Sequence, residues 1–230
     1  MAATHHPLEP FAPEVWITPR RQRFWGLETG TRMTIVRLAD GGLFVHGPVT
    51  LDDATRAEVD ALGPVKAIVS SSLFHHLYAG QWIVAYPDAA LCACPGLERK
   101  RADLPWQHIL GDDPHPLWAG QIDQVYFSAR FEHEVVFFHR ATRTLLCLDA
   151  LINLGSHPSR MTRAVAWLMR NDAPGKGWAE RIAVRDRAAA RREIDRILEW
   201  DIDGIILAHG ALVRHGGREV FRDAFAWVPS

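Results

Sequence analysis

Short apolar runs in this chain come in groups. Residues 31–38 and 43–46 flank Asp40-Gly41-Gly42, a turn signal that makes the two runs a hairpin. Residues 122–127, 133–139 and 144–149 follow one another later, the last two joined by Arg140-Ala141-Thr142-Arg143. Helical patterns fall between the groups. One starts at an expected Thr50 N-cap and ends before Gly63-Pro64; others cover 158–170, 184–199 and 218–227. Strict strand–helix alternation is excluded. The pattern predicts one α/β domain of the α+β type over residues 1–230, with two mixed sheets between helical layers. Residues 1–13 are proline-rich and are expected to form an irregular surface arm. A strand over 14–17 is expected to end at Thr18-Pro19, and 102–121 and 171–183 read as loops.

Composition removes several function classes. The chain has 230 residues, 26 basic against 27 acidic, and a net charge of −1, so no strong field draws nucleic acid or an anionic membrane. No run of about 20 apolar residues is present to span a bilayer. The first residues show no secretory signal, and the cytoplasm is the default compartment. Three cysteines, Cys92, Cys94 and Cys147, form an odd set without a CxxC motif and read as reduced, buried residues. The 9 tryptophans are expected to line the core and a pocket mouth, and exposed ones permit a homodimer.

Three buried-strand patterns stop next to residues that bind metals. Residues 65–70 precede His75-His76, 144–148 precede Asp149, and 205–208 precede His209. Adjacent residues diverge by about 100° in a regular helix, so His75 and His76 face one point only at an irregular turn. Imidazole and carboxylate donors suit zinc, iron or manganese. Taken singly, each is as well read as a strand-end cap or a surface histidine.

The order of these residues resembles the metallo-β-lactamase superfamily. Its hallmark is a strand followed by His-x-His-x-Asp-His, then a third His, an Asp after a late hairpin and a last His after a terminal strand. Ser71 and Leu73 stand where the first two histidines belong, His75 at the Asp and His76 at the next His. Asp149 resembles the metal-bridging Asp and His209-Gly210 the last His. Gly41 to Gly47 resembles the early strand, with His46 where an Asp is common. The chain is thus similar to a divergent branch of that superfamily, of unknown function and with a reduced metal motif.

The resemblance implies a four-layer αββα sandwich. It also implies that one metal position is lost, since Ser71 and Leu73 cannot replace imidazoles and neither His133 nor His139 sits in a Gly-His-Thr setting. The other position maps to His75, His76, Asp149 and His209, a mononuclear site for one divalent ion, zinc foremost, with iron and manganese as alternatives. The implied activity is metal-dependent hydrolysis of a small molecule, with ester, thioester, lactone and phosphoester all open. Two rivals stand beside it: a non-catalytic binding or assembly protein with an eroded site, and a mononuclear iron redox protein. His46 and His139 are candidates to orient the ligands from behind, or else core histidines. Arg140 and Arg143 are candidates to hold an anionic substrate near Asp149. Glu134 is either a buried partner of Arg143 or an exposed strand residue. Tyr78 and Trp82 line a pocket or belong to the core.

Overall fold

The computed structural model describes residues 6–127, 133–175, 177–184 and 186–229. The chain runs through β1 (Glu9–Ala12), β2 (Val15–Arg20), the short strands β3 (Arg23–Phe24) and β4 (Leu27–Glu28), β5 (Thr31–Arg37) and β6 (Leu43–His46). It continues with α1 (Asp53–Leu62), β7 (Val65–Ser70), α2 (Ala79–Ala85), β8 (Ala90–Ala93), α3 (Leu97–Lys100) and β9 (His108–Ile109). The remainder is β10 (Ile122–Phe127), β11 (Glu134–His139), β12 (Thr144–Leu146), α4 (Arg160–Met169), α5 (Trp178–Ala183), α6 (Arg187–Leu198), β13 (Gly204–Ile206) and α7 (Gly217–Ala224).

These strands build a seven-stranded sheet, β1-β2-β5-β6-β7-β8-β9, and a four-stranded sheet, β10-β11-β12-β13, with β3-β4 as a separate hairpin. Both large sheets are mixed. β6, β7, β8 and β9 pair in parallel, as do β12 and β13, and the other pairs are antiparallel.

Strand side chains alternate between faces, and the buried residues sort accordingly into three apolar layers. Val36, Phe44, Val69, Trp118, Val135, Phe137 and Leu146 fill the space between the sheets. Met33, Ile35, Val45, Ile68 and Leu91 point the other way, against Val59 of α1 and Trp82 of α2. On the far side Val136, Phe138 and Leu145 meet Ile194 and Ile197 of α6 and Phe221 of α7. The result is the four-layer αββα sandwich. Among the described residues no helix is long and apolar enough to cross a membrane.

Several boundaries differ from the sequence expectation. Residues 9–12 are not an irregular arm: they pair with β2 as an edge strand, while residues 1–5 lie outside the described residues. β2 runs through Thr18-Pro19 instead of stopping there. Its pairing with β1 ends at Ile17, so Pro19 sits where one flank of β2 has no neighbour and its missing N–H leaves no gap in a ladder. The α1 N-cap is Asp52 rather than Thr50, because the Asp52 carboxylate accepts from both the backbone N and the hydroxyl of Thr55, at 2.7 and 2.6 Å. Residues 178–183, within the expected loop, form α5.

Phe137 is fully buried between the sheets, with its ring edge-on to Phe44 at 5.2 Å and to Trp118 at 6.3 Å. Truncation there leaves a cavity that two sheets cannot close. Phe137→Ala is therefore expected to cost about 3–5 kcal/mol, read as a lower urea midpoint with an unchanged slope.

Candidate metal centre

Strand register brings the candidate residues together. β12 and β13 run parallel with Leu146 beside Ile206, so three residues further along each chain Asp149 comes level with His209. β11 runs antiparallel to β12 with Phe137 beside Leu146, which carries Glu134 opposite Asp149. The turn after β7 reaches the same end of the sandwich, where the Ser71 carbonyl accepts from Val135 N at 2.8 Å and ties the two sheets together. The site thus lies beyond the C-terminal ends of parallel strands, the usual place for a ligand in such sheets.

Asp149 is the centre of the cluster. His75 Nε2 lies 3.3 Å from its carboxylate, and His209 Nε2 lies 3.3 Å from Oδ1. Ser72 donates its hydroxyl to Oδ2 at 3.3 Å and accepts from the backbone N of Phe74 and His75. Burial pushes the Asp149 pKa up, but His75 and His209 outweigh it and hold the group well below the usual carboxylate range. Among the described residues, His75, Asp149 and His209 form the one group of three whose donor atoms lie within 4.8 Å of one another.

The surroundings fix how His209 presents itself. Its Nδ1 donates to the Gly30 carbonyl at 2.8 Å, which leaves Nε2 facing Asp149. Arg32 grips the carbonyls of Leu207 and Gly210 on either side of His209. Gly210 (φ +93) lets this loop lie against residue 153, since a Cβ there would meet Asn153 O at 1.6 Å.

The donor set fits a divalent ion. Adjacent ligands of a tetrahedral ion stand about 3.3–3.4 Å apart when each lies about 2.0–2.1 Å away, and both imidazole–carboxylate separations match that edge. Two neutral imidazoles and one carboxylate are a common catalytic set, with a further position open.

Other expected members lie elsewhere. His76 lies outside this group of three. Residues 75–78 already form a turn leading into α2, so the neighbouring ring swings away and His76 Nδ1 meets Arg101 Nη1 at 3.1 Å. Burial, with Lys100 and Arg101 adding to it, lowers the His76 pKa to about 4. His46 is a core histidine: its Nε2 bonds the Ser71 hydroxyl at 2.7 Å, and burial lowers its pKa to about 3. His139 ends β11 at the end of the sheet away from the cluster, where Nδ1 meets Thr142. Arg143 pairs with Asp201 and Arg140 with Asp123, both exposed and remote from the cluster. His133 bonds Tyr126 at 2.7 Å. Trp82 is buried with its indole N–H on the Val49 carbonyl, and Tyr78 packs on the same core layer.

Sequence reasoning missed Ser72, Gly30, Arg32 and the placement of Glu134. For Gly30 no signal existed, since a backbone carbonyl has no residue type. Glu134 did leave one, a lone charge in an otherwise apolar strand.

The family model described as domain of unknown function (DUF4336) matches residues 13–176. The chain belongs to the DUF4336 family. No curated protein matches it. Solved structures do resemble the DUF4336 fold. The DIM-1 metallo-β-lactamase exposed to ceftazidime matches with a TM-score of 0.69 at 15% identity over 100% of both chains. The FIM-1 metallo-β-lactamase from Pseudomonas aeruginosa in its mono-zinc form matches at 0.62 and 13%, over 96% of this chain and 93% of that one. The metal-soaked Flv1 flavodiiron core from Synechocystis sp. PCC6803 matches at 0.64 and 14%, over 96% and 60%. The DUF4336 chain therefore has the metallo-β-lactamase fold, as its residue order implied.

Two histidines kept neutral by burial make the protein acid-sensitive. The unfolded chain takes up protons near pH 6.5, whereas folded His46 and His76 refuse them until about pH 3 and pH 4. Stability therefore falls as pH drops from about 6.5 to 4. His46→Gln, which keeps a partner for Ser71 and cannot titrate, is expected to shrink the loss between pH 7 and pH 4 by on the order of 3 kcal/mol in urea melts at each pH.

Proposed function

We propose that this protein is a metal-dependent hydrolase with one ion held by His75, Asp149 and His209. The observation that carries the reading is the buried Asp149 carboxylate facing two imidazole Nε2 atoms at 3.3 Å each, one of them fixed by Gly30 so that it cannot turn away. An ion held there supplies Lewis acidity, which activates water and polarises a scissile carbonyl or phosphoryl bond. The chain's own contribution is positional. Ser72 holds Oδ2 of Asp149, Arg32 and Gly30 hold the His209 loop, and the two sheets exclude bulk water from behind the ligands.

A cavity of about 300 Å³ opens beside the His209 loop, lined by Arg20, Gly30, Arg32, His157 and Gly210 among others. His75, Asp149 and His209 are not among its lining residues, and the ester, thioester, lactone and phosphoester classes all remain within this reading. Zinc is the preferred ion for two imidazoles and a carboxylate in a four-coordinate setting. The likeness to a flavodiiron core supports an iron-based redox reading as the second choice.

Protein stripped and reloaded with zinc is expected to retain one equivalent, measured by elemental analysis. Asp149→Asn and His209→Ala should lose it, while His76→Ala keeps it. At a thousandfold excess over Kd the ion should stabilise the fold by about 4 kcal/mol. Purification with iron and a visible absorption band favours the redox reading. No uptake by the unaltered chain leaves a scaffold used for binding.

A further inference from the structure

We infer that Glu134 is the positioning residue that sets where the Asp149 carboxylate stands. This rests on the metal reading above only for its functional consequence. Glu134 opens β11 and is 1% exposed. Its Oε1 accepts from Leu148 N at 2.5 Å and its Oε2 from Asp149 N at 2.9 Å. In an extended strand successive N–H groups point to opposite sides. Here two consecutive amides point to one carboxylate, so the backbone has to leave the strand at this point. That is why β12 stops at Leu146 while the chain goes on to the cluster.

A buried carboxylate demands donors, and hydrogen bonds to a charged group are among the stronger and shorter ones. Glu134 therefore anchors the backbone on one side of Asp149, as Ser72 anchors its side chain on the other. The β11–β12 register that carries Glu134 opposite Asp149 comes from pairs remote from the site, so the anchor is delivered by the sheet and not by the turn. Glu134 reaches the cluster through the backbone amides of Leu148 and Asp149.

Glu134→Gln tests this. The amide keeps the size but replaces one acceptor with a donor, which then opposes a backbone N–H. In the metal-free protein the Leu148 and Asp149 amides should exchange with deuterium about tenfold faster or more, while amides of β5 and β6 keep their rates. Unchanged rates at 148 and 149, or equal acceleration throughout, overturn the proposal. With cobalt as the probe, the variant should bind about 10–100-fold more weakly and show altered visible bands. Wild-type affinity with an unaltered spectrum also overturns it. If the unaltered chain binds no cobalt, the metal reading falls, and the exchange rates alone decide the role of Glu134.

Discussion

A carboxylate shut away from water needs positive charge or donors around it, and Asp149 meets that need with two imidazoles and a serine hydroxyl. This requirement shapes the surrounding fold. His75 comes from the turn after β7 in one sheet, and His209 from the strand end after β13 in the other. Both must reach the same anion. The sheets are joined at this end by the Ser71 carbonyl, which accepts from Val135 N. The polar cluster occupies the rim of the apolar layer between the sheets.

The supports of the cluster are themselves buried or pinned. Arg32 is largely desolvated, with its pKa lowered to about 10, and spends its guanidinium on two carbonyls flanking His209. Glu134 does the same with the consecutive amides of Leu148 and Asp149. A basic residue on carbonyls and an acidic residue on amides are opposite solutions to one problem: holding irregular backbone at a sheet edge. Beside them the β3–β4 hairpin leans on the His75 turn through Phe24 and Phe74, with ring centroids 6.4 Å apart. It leaves Trp25 94% exposed at its tip.

Much of the layer architecture was legible in the sequence. Apolar runs at 31–38, 43–46 and 133–139 marked strands, and Gly-Pro and Gly-Gly pairs marked the breaks. The candidate site was legible in part. Residues that follow a buried strand, such as Asp149 and His209, could be picked out because strand ends are fixed by local pattern. His76 could not be separated from His75, since both precede the same helix and only the turn's geometry decides which ring faces inward. Arg143 lay near Asp149 in sequence, yet the hairpin carries it to the opposite end of β12, against Asp201.

What the sequence alone determined is the longer central strands and the metal-binding residue types that follow them, because these depend on neighbours a few positions away. Tertiary structure decided which of those ends meet. The parallel register of β12 with β13 sets Asp149 beside His209, and the antiparallel register with β11 sets Glu134 behind it. Register is a property of two chains of atoms in contact, fixed by how side chains from distant segments pack, and no local pattern in either strand contains it.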